Sequence, residues 1–360
     1  MSAFPNHPAL PEIPVANLQF GLDTFGDAST HDDGTSATDA QTIRNVVAQA
    51  VLADELGLNA FNVGEHHRQD FSVSAPDTVL AGIATVTKNI TLGTGVTVLS
   101  SDDPVRVYER FATLDALSNG RAEITAGRGS FIESFPLFGY SLQDYEVLFE
   151  EKLALLVELW KEQPVTWAGT TRASLTNQEV YPKTEHPANG NTMGMRIGVG
   201  GSPESVIRAA THGVPMALAI IGGDPARFAP FAKLYFDYLA KLGKQPLPVS
   251  IHSPGLVAAT DEQAIDAMWP HYSEMYGRLG RERGWAPTTK DHFMQEVNHG
   301  SLYVGSPETV ASKIAYAIRS VGATRFDLKY ATGPMPHSVM MNTIELYATK
   351  VVPLVREMLA

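Results

Sequence analysis

Two apolar rhythms exchange along this chain, and that exchange limits its possible folds more than any other feature. Eight short β-type runs, "LQFGLDTF", "AFNVGE", "ITLGTGVTVL", "AEITAG", "MRIGVGG", "PMALAII", "PVSIHSPGLVA" and "RFDLKY", are separated by stretches with helical periodicity. In the first such stretch, Asp39 to Leu56, Ile43, Val46, Val47, Ala50, Val51 and Leu52 share one face, and Gly57 supplies a stop. Eight strands, each followed by helix and with no linker between them, predict an α/β fold of the (β/α)8 TIM-barrel class. Two doubly wound domains are the alternative.

Pro5, Pro8, Pro11 and Pro14 forbid regular helix at the start, so residues 1–14 are expected to form an extended arm and 15–360 a single barrel domain. "PVTWAGTTRASLTNQEVYPKTEHPANGNTMG" reads as a surface hairpin. A helix at Pro307 to Val321, before strand eight, and an irregular segment near Gly280 to Gly300 read as insertions at the C-terminal mouth, the latter a candidate lid.

Composition removes several function classes. With 27 basic against 39 acidic residues, a net charge of −12 and no Lys/Arg cluster, the chain is a poor match for nucleic acid. The absence of cysteine excludes disulfides, thiolate metal sites and thiol nucleophiles. The first twenty residues have neither a basic leader nor a continuous apolar run, so a soluble cytoplasmic protein with no membrane partner is expected.

In a barrel of this kind, chemistry gathers where strands end. Strand two ends in Glu65, His66, His67 and Arg68; successive side chains alternate faces, so one histidine alone should face the mouth and act as a base. The spacing of Glu65, His66, His67, Asp103 and His252 argues against a metal site. Arg128, between Gly127 and Gly129, has the fork an anion needs, although pairing with Glu133 or another neighbouring acid is the bland reading. After strand five, "VGGSPESVI" places Gly200 and Gly201 before Ser202, a natural N-cap, and Pro203 at the first helical position, an arrangement that can cradle an anion. "VGSPETVAS", at Val304 to Ser312, repeats the cap. Phe131, Ile132, Phe135, Phe138, Tyr140, Ile220 and Ile221 make a candidate apolar pocket wall, or packing and interface residues.

Three ordered stretches, "ADELGLNAFNVGEHH", "ITLGTGVTVLSSDDPVRVYERFATLDALSNGRAEITAGRG" and "IGVGGSPESVIRAATHGVPM", resemble the bacterial luciferase-like flavin-dependent monooxygenases. The resemblance implies a luciferase-like barrel that takes reduced FMN from a separate reductase and oxygenates a small, partly apolar substrate with O2 through a flavin peroxide. It implies that His66 assists the oxygen chemistry with Glu65 beside the ring system. Gly95 and Val96 would lie against the isoalloxazine, where the family often has a cis non-proline peptide. Arg128, Gly200, Gly201, Ser202, Ser205 and Val206 would surround the flavin phosphate, and Phe131, Phe135 and Ile220 would line the substrate pocket. A homodimer is implied too. Gly127 stands where the luciferase has its reactive cysteine, which argues against light emission. A deazaflavin-dependent dehydrogenase on the same fold and a non-catalytic flavin-binding protein are the alternatives. On this reading "VGGSPESVI" holds the phosphate and "VGSPETVAS" is a helix start without a ligand.

Overall fold

The computed structural model describes residues 15–129, 131–184, 193–284 and 286–360. The expected arm at 1–14 and part of the segment before strand five lie outside the described residues. The eight predicted strands are all present: β1 Gln19–Thr24, β2 Ala60–Val63, β3 Thr91–Thr94, β4 Ala122–Gly127, β5 Gly194–Val199, β6 Met216–Ala219, β7 Val249–Val257 and β8 Arg325–Lys329. They pair in the order β7-β8-β1-β2-β3-β4-β5-β6, and β6 pairs in parallel with β7, which makes the closed (β/α)8 barrel.

The chain folds as two compact units. One comprises residues 22–198 and 330–344. In it β2 runs parallel to β3 with Val63 opposite Thr94, and β4 runs parallel to β5 with Ala126 opposite Ile197. A two-residue strand, Thr97–Val98, pairs with the end of β4 and sets Val98 opposite Gly127. The flanking helices start where local chemistry dictates: Thr38 caps Asp39–Glu55 by accepting from the Gln41 amide, and Asp103 caps Pro104–Ser118 by accepting from Val105 and Arg106. Among the described residues of the expected hairpin, Val165–Trp167 pairs antiparallel with Leu175–Gln178.

The other unit comprises residues 15–21, 199–329 and 345–360. Here β7 lies between β6 and β8, with His252 opposite both Ala219 and Asp327. The added helix Pro307–Val321 has the predicted bounds and buries Val310, Ile314 and Ile318 on one stripe.

Among the described residues the segment near Gly280 to Gly300 is largely helical rather than irregular, which corrects the sequence expectation. Helix Asp261–Arg283 runs into it, and Lys290–His299 forms a further helix capped by Thr289, which accepts from the His292 amide. Glu296 Oε2 accepts from the Gly223 amide at 2.9 Å and the Ser301 amide at 3.3 Å, while the Lys313 ammonium donates to the carbonyls of Val297 and Leu302. Fully buried Phe293 packs against Trp269 and Tyr272. These ties anchor the segment within its own unit.

Candidate active site

In the unit built on β1 to β5, the two histidines that follow β2 have different settings. His66 is 7% exposed and sits in an aromatic box: its ring stacks on Phe71 at 4.3 Å, tilts against Phe25 at 4.5 Å and meets the edge of Phe131 at 5.2 Å. Backbone pairing holds the walls. His66 N–H donates to the Val73 carbonyl, Ala28 N–H to Asp70, and Ser72 N–H to Gly26, so the loops after β1 and β2 form one frame. Gly26 has φ +63° and its missing Cβ would lie 2.4 Å from Val73, so glycine is required there on both counts.

Glu65 has a different environment. Its Oε2 accepts from the Val98 amide at 2.9 Å and its Oε1 meets His67 Nε2 at 3.0 Å. The His67 ring is perpendicular to that of Phe138 and, with Glu65, Asp77, Asp102 and Arg110, lines a cavity of about 200 Å³. Arg110 bridges the carboxylates of Asp77 and Asp102. The Glu65 carboxylate is thus engaged by a backbone amide and the second histidine.

Between Glu65 and β4 lies the Gly95–Val96 peptide, which is cis. The Gly95 amide donates to the Val63 carbonyl at 3.1 Å, and a Cβ on Gly95 would fall 2.0 Å from Asp23 Oδ2. Val96 fills the space over two other glycines: a Cβ on Gly127 would come within 2.6 Å of it, and one on Gly198 within 3.2 Å. Only small residues fit beneath that side chain.

Arg128, next along, donates through Nη1 to Glu146 at 2.5 Å and lies over the Tyr145 ring. The neighbouring acid is therefore Glu146; Glu133 pairs with Arg68 instead. Glu146 is 66% exposed, and an ion pair this open to water holds the guanidinium weakly. Phe135 is fully buried and stacked on Tyr145, Phe131 belongs to the His66 box, and Ile132 and Phe138 are about half exposed at 55% and 50%, so the aromatic wall divides among three environments.

The deepest cation of this unit was not singled out from the sequence. Lys152, 2% exposed, donates to the Ser100 carbonyl at 2.6 Å and lies 4.0 Å from the Tyr140 ring centroid; burial lowers its pKa to about 8. Phe25 and Phe71, two walls of the box, were also missed. Phe25 closes the first β run, directly after Asp23 and Thr24.

The other unit carries the glycine-serine stretch. Gly200 is exposed, and Gly201 has φ +93° with its missing Cβ 3.1 Å from Phe228. Ser202 caps helix Pro203–His212: its Oγ accepts from the Ser205 amide at 3.3 Å, and Ser205 Oγ donates to the Ser202 carbonyl at 2.7 Å. Val206 anchors the first turn in the core, fully buried. Ile220, also fully buried, exchanges backbone with β7 by donating to the His252 carbonyl.

At the twin stretch the cap is filled by the chain itself. Asp261 accepts from the Ser306 amide at 2.7 Å through Oδ1 and from the Thr309 hydroxyl at 3.0 Å through Oδ2. The Ser306 amide is the main cause holding the Asp261 carboxyl below the usual carboxylate range. Two helix starts of one design therefore differ: the second holds an internal carboxylate, while the first presents serine hydroxyls and a glycine turn. Among the described residues, no group of three or more His, Asp or Glu side chains could hold a metal ion, and no helix is long and apolar enough to cross a membrane.

Comparison with known proteins identifies the family. The family model for luciferase-like monooxygenases matches residues 21–325. N-acetyl-S-alkylcysteine monooxygenase of Bacillus subtilis (strain 168) is 30% identical over 195 residues, covering 53% of this chain and 55% of that protein. The chain spans 39% to 57% of the length of the first curated relatives it matches. Among solved structures, monooxygenase RslO1 from Streptomyces bottropensis superimposes with TM-score 0.78 at 22% identity, covering 93% of this chain and 99% of that one. The oxygenating constituent of 3,6-diketocamphane monooxygenase from Pseudomonas putida, in complex with FMN, gives 0.73 at 17% identity over 93% and 98%. F420-dependent enzymes occur among the matches of both kinds.

Proposed function

The chain belongs to the luciferase-like monooxygenase family, and on that premise we propose that it is the oxygenase component of a two-component system. It takes FMN in reduced form from a separate reductase and uses O2 to oxygenate a small, partly apolar organic substrate. The observation that carries this reading is His66, a titratable ring enclosed by Phe25, Phe71 and Phe131 at the end of β2. The remaining elements of the proposal are that the protein is a cytoplasmic homodimer and that residues 15–360 act as one domain.

The residues fit the cofactor. Gly200, Gly201, Ser202, Ser205 and Val206 form a helix start with two hydroxyls, the chemistry a phosphomonoester requires. The family resemblance adds Arg128 to that role and assigns Gly95 and Val96 to the ring, where glycine keeps the backbone accessible. Reduced flavin supplies the electrons that activate O2. The protein contributes an acid/base at His66, a surround of phenyl rings that excludes water, and Glu65, which holds the Val98 amide and the His67 imidazole in place. The family resemblance assigns Phe131, Phe135 and Ile220 to the substrate pocket; of these, Phe131 packs on His66, and Phe135 and Ile220 are fully buried.

The test is a titration of the purified protein with oxidised FMN, reduced FMN and the deazaflavin coenzyme, followed by oxygen uptake. Preference for reduced FMN and uptake above the flavin-only control are expected. Preference for the deazaflavin would favour the dehydrogenase reading, for which the F420-dependent relatives provide precedent. FMN binding with no excess uptake would leave a flavin-binding protein.

A further inference from the structure

The turn that follows His66 supplies one wall of the aromatic box and also holds the neighbouring wall, Phe131, whose ring centroid lies 5.9 Å from that of Phe71. Arg68 accepts from the Phe71 amide through its carbonyl at 3.1 Å, which closes the turn and places Phe71 on the His66 ring. The turn is fixed from outside as well, because the Asp70 carbonyl takes the Ala28 amide and Asp27 bridges antiparallel to Phe71. The Arg68 side chain, 12% exposed, crosses to the segment after β4. Its Nε and Nη2 both donate to Asp70 Oδ2, at 3.1 and 3.0 Å, its Nη1 donates to Glu133, and its guanidinium carbon lies 4.8 Å from the Phe131 ring centroid.

We infer that Arg68 is a positioning residue that seats Phe131 on His66 and so keeps water from the imidazole. The inference rests on the proposed role of His66, but the seating itself is a property of the polypeptide. Arginine suits the position because its planar fork satisfies two carboxylates at its edge while leaving a face for the ring; a lysine ammonium is a point charge with no such face. Asp70 belongs to the fixed turn and Glu133 to the segment bearing Phe131, so the guanidinium ties that segment to the frame of the site. Loss of Arg68 should release Phe131 while Phe25 and Phe71 stay on the fixed loops, opening one side of the box.

The test measures the rate at which diethyl pyrocarbonate modifies His66 in the purified, flavin-free full chain, read by peptide mass spectrometry with His337 as internal reference. Arg68→Met and Phe131→Ala are each expected to raise the His66 rate several-fold at an unchanged His337 rate, and the double variant should match Phe131→Ala alone. A wild-type rate in Arg68→Met, or a double variant with the two increases multiplied, would overturn the inference. Should Arg68→Met fail to fold by circular dichroism, Glu133→Ala breaks the tie from the other end and is held to the same outcomes. None of these readouts requires turnover, so failure here is distinct from failure of the monooxygenase reading, which the turnover of a His66 variant decides.

Discussion

The Asp261 carboxylate receives the Ser306 amide at 2.7 Å, across 45 residues of sequence, and occupies the start of helix Pro307–Val321. Asp261→Ala removes an acceptor for that amide and for Thr309, and loss of a capping interaction costs about 1 kcal/mol. In a chain of this size that is a fall in Tm of about 2 °C, measurable by calorimetry. The folded carboxyl has a depressed pKa, so its contribution is present above the unfolded value and fades as pH falls through the folded one. The Tm gap between wild type and variant should therefore narrow on acidification.

Removing the enclosed imidazole should damage chemistry more than binding. His66→Ala is expected to lower turnover with supplied reduced FMN by about 10²–10⁴-fold while leaving FMN affinity near wild type. Rapid mixing with separately reduced FMN measures the two quantities in one preparation; wild-type turnover would eliminate the acid/base role.

Arg128 can be tested by a ligand comparison. Arg128→Ala should weaken FMN and leave riboflavin, which has no phosphate, unchanged, a difference that isothermal titration resolves. Equal losses for both would move Arg128 from the phosphate to the Glu146 and Tyr145 packing it makes in the protein alone.

Lys152 gives an alkaline signature. Its pKa is lowered by burial to about 8, below the unfolded value of about 10.4, so between those values the unfolded chain binds more protons and stability rises with pH. Lys152→Met should abolish that rise, seen as a wild-type minus variant difference in urea unfolding that increases from pH 8 to pH 10. A flat difference would show that the ammonium is not desolvated.

The parts of the fold that were legible in the sequence rest on local chemistry. Each β run, the Ser202 and Ser306 caps and the extra helix at Pro307–Val321 follow from periodicity and from hydroxyls placed before proline. What sequence could not supply were partners brought in by tertiary folding: Phe25 around His66, Val98 on Glu65, Asp261 at the second cap. The helix Lys290–His299 is a different sort of miss, since Thr289, Phe293 and Val297 carried its cap and its apolar stripe in plain view. Its short stripe, only two apolar side chains buried, was outweighed by the surrounding polar residues.

The packing of Val96 over Gly127 and Gly198 sets a rule for how sequences on this scaffold can diverge. A side chain can be gained at 127 only by a lineage that first trims the residue at 96, because the reverse order passes through a steric collision. Positions 96 and 127 should accordingly covary in size among relatives, large with small, and a side chain as large as cysteine could not be placed at 127 here by one codon change.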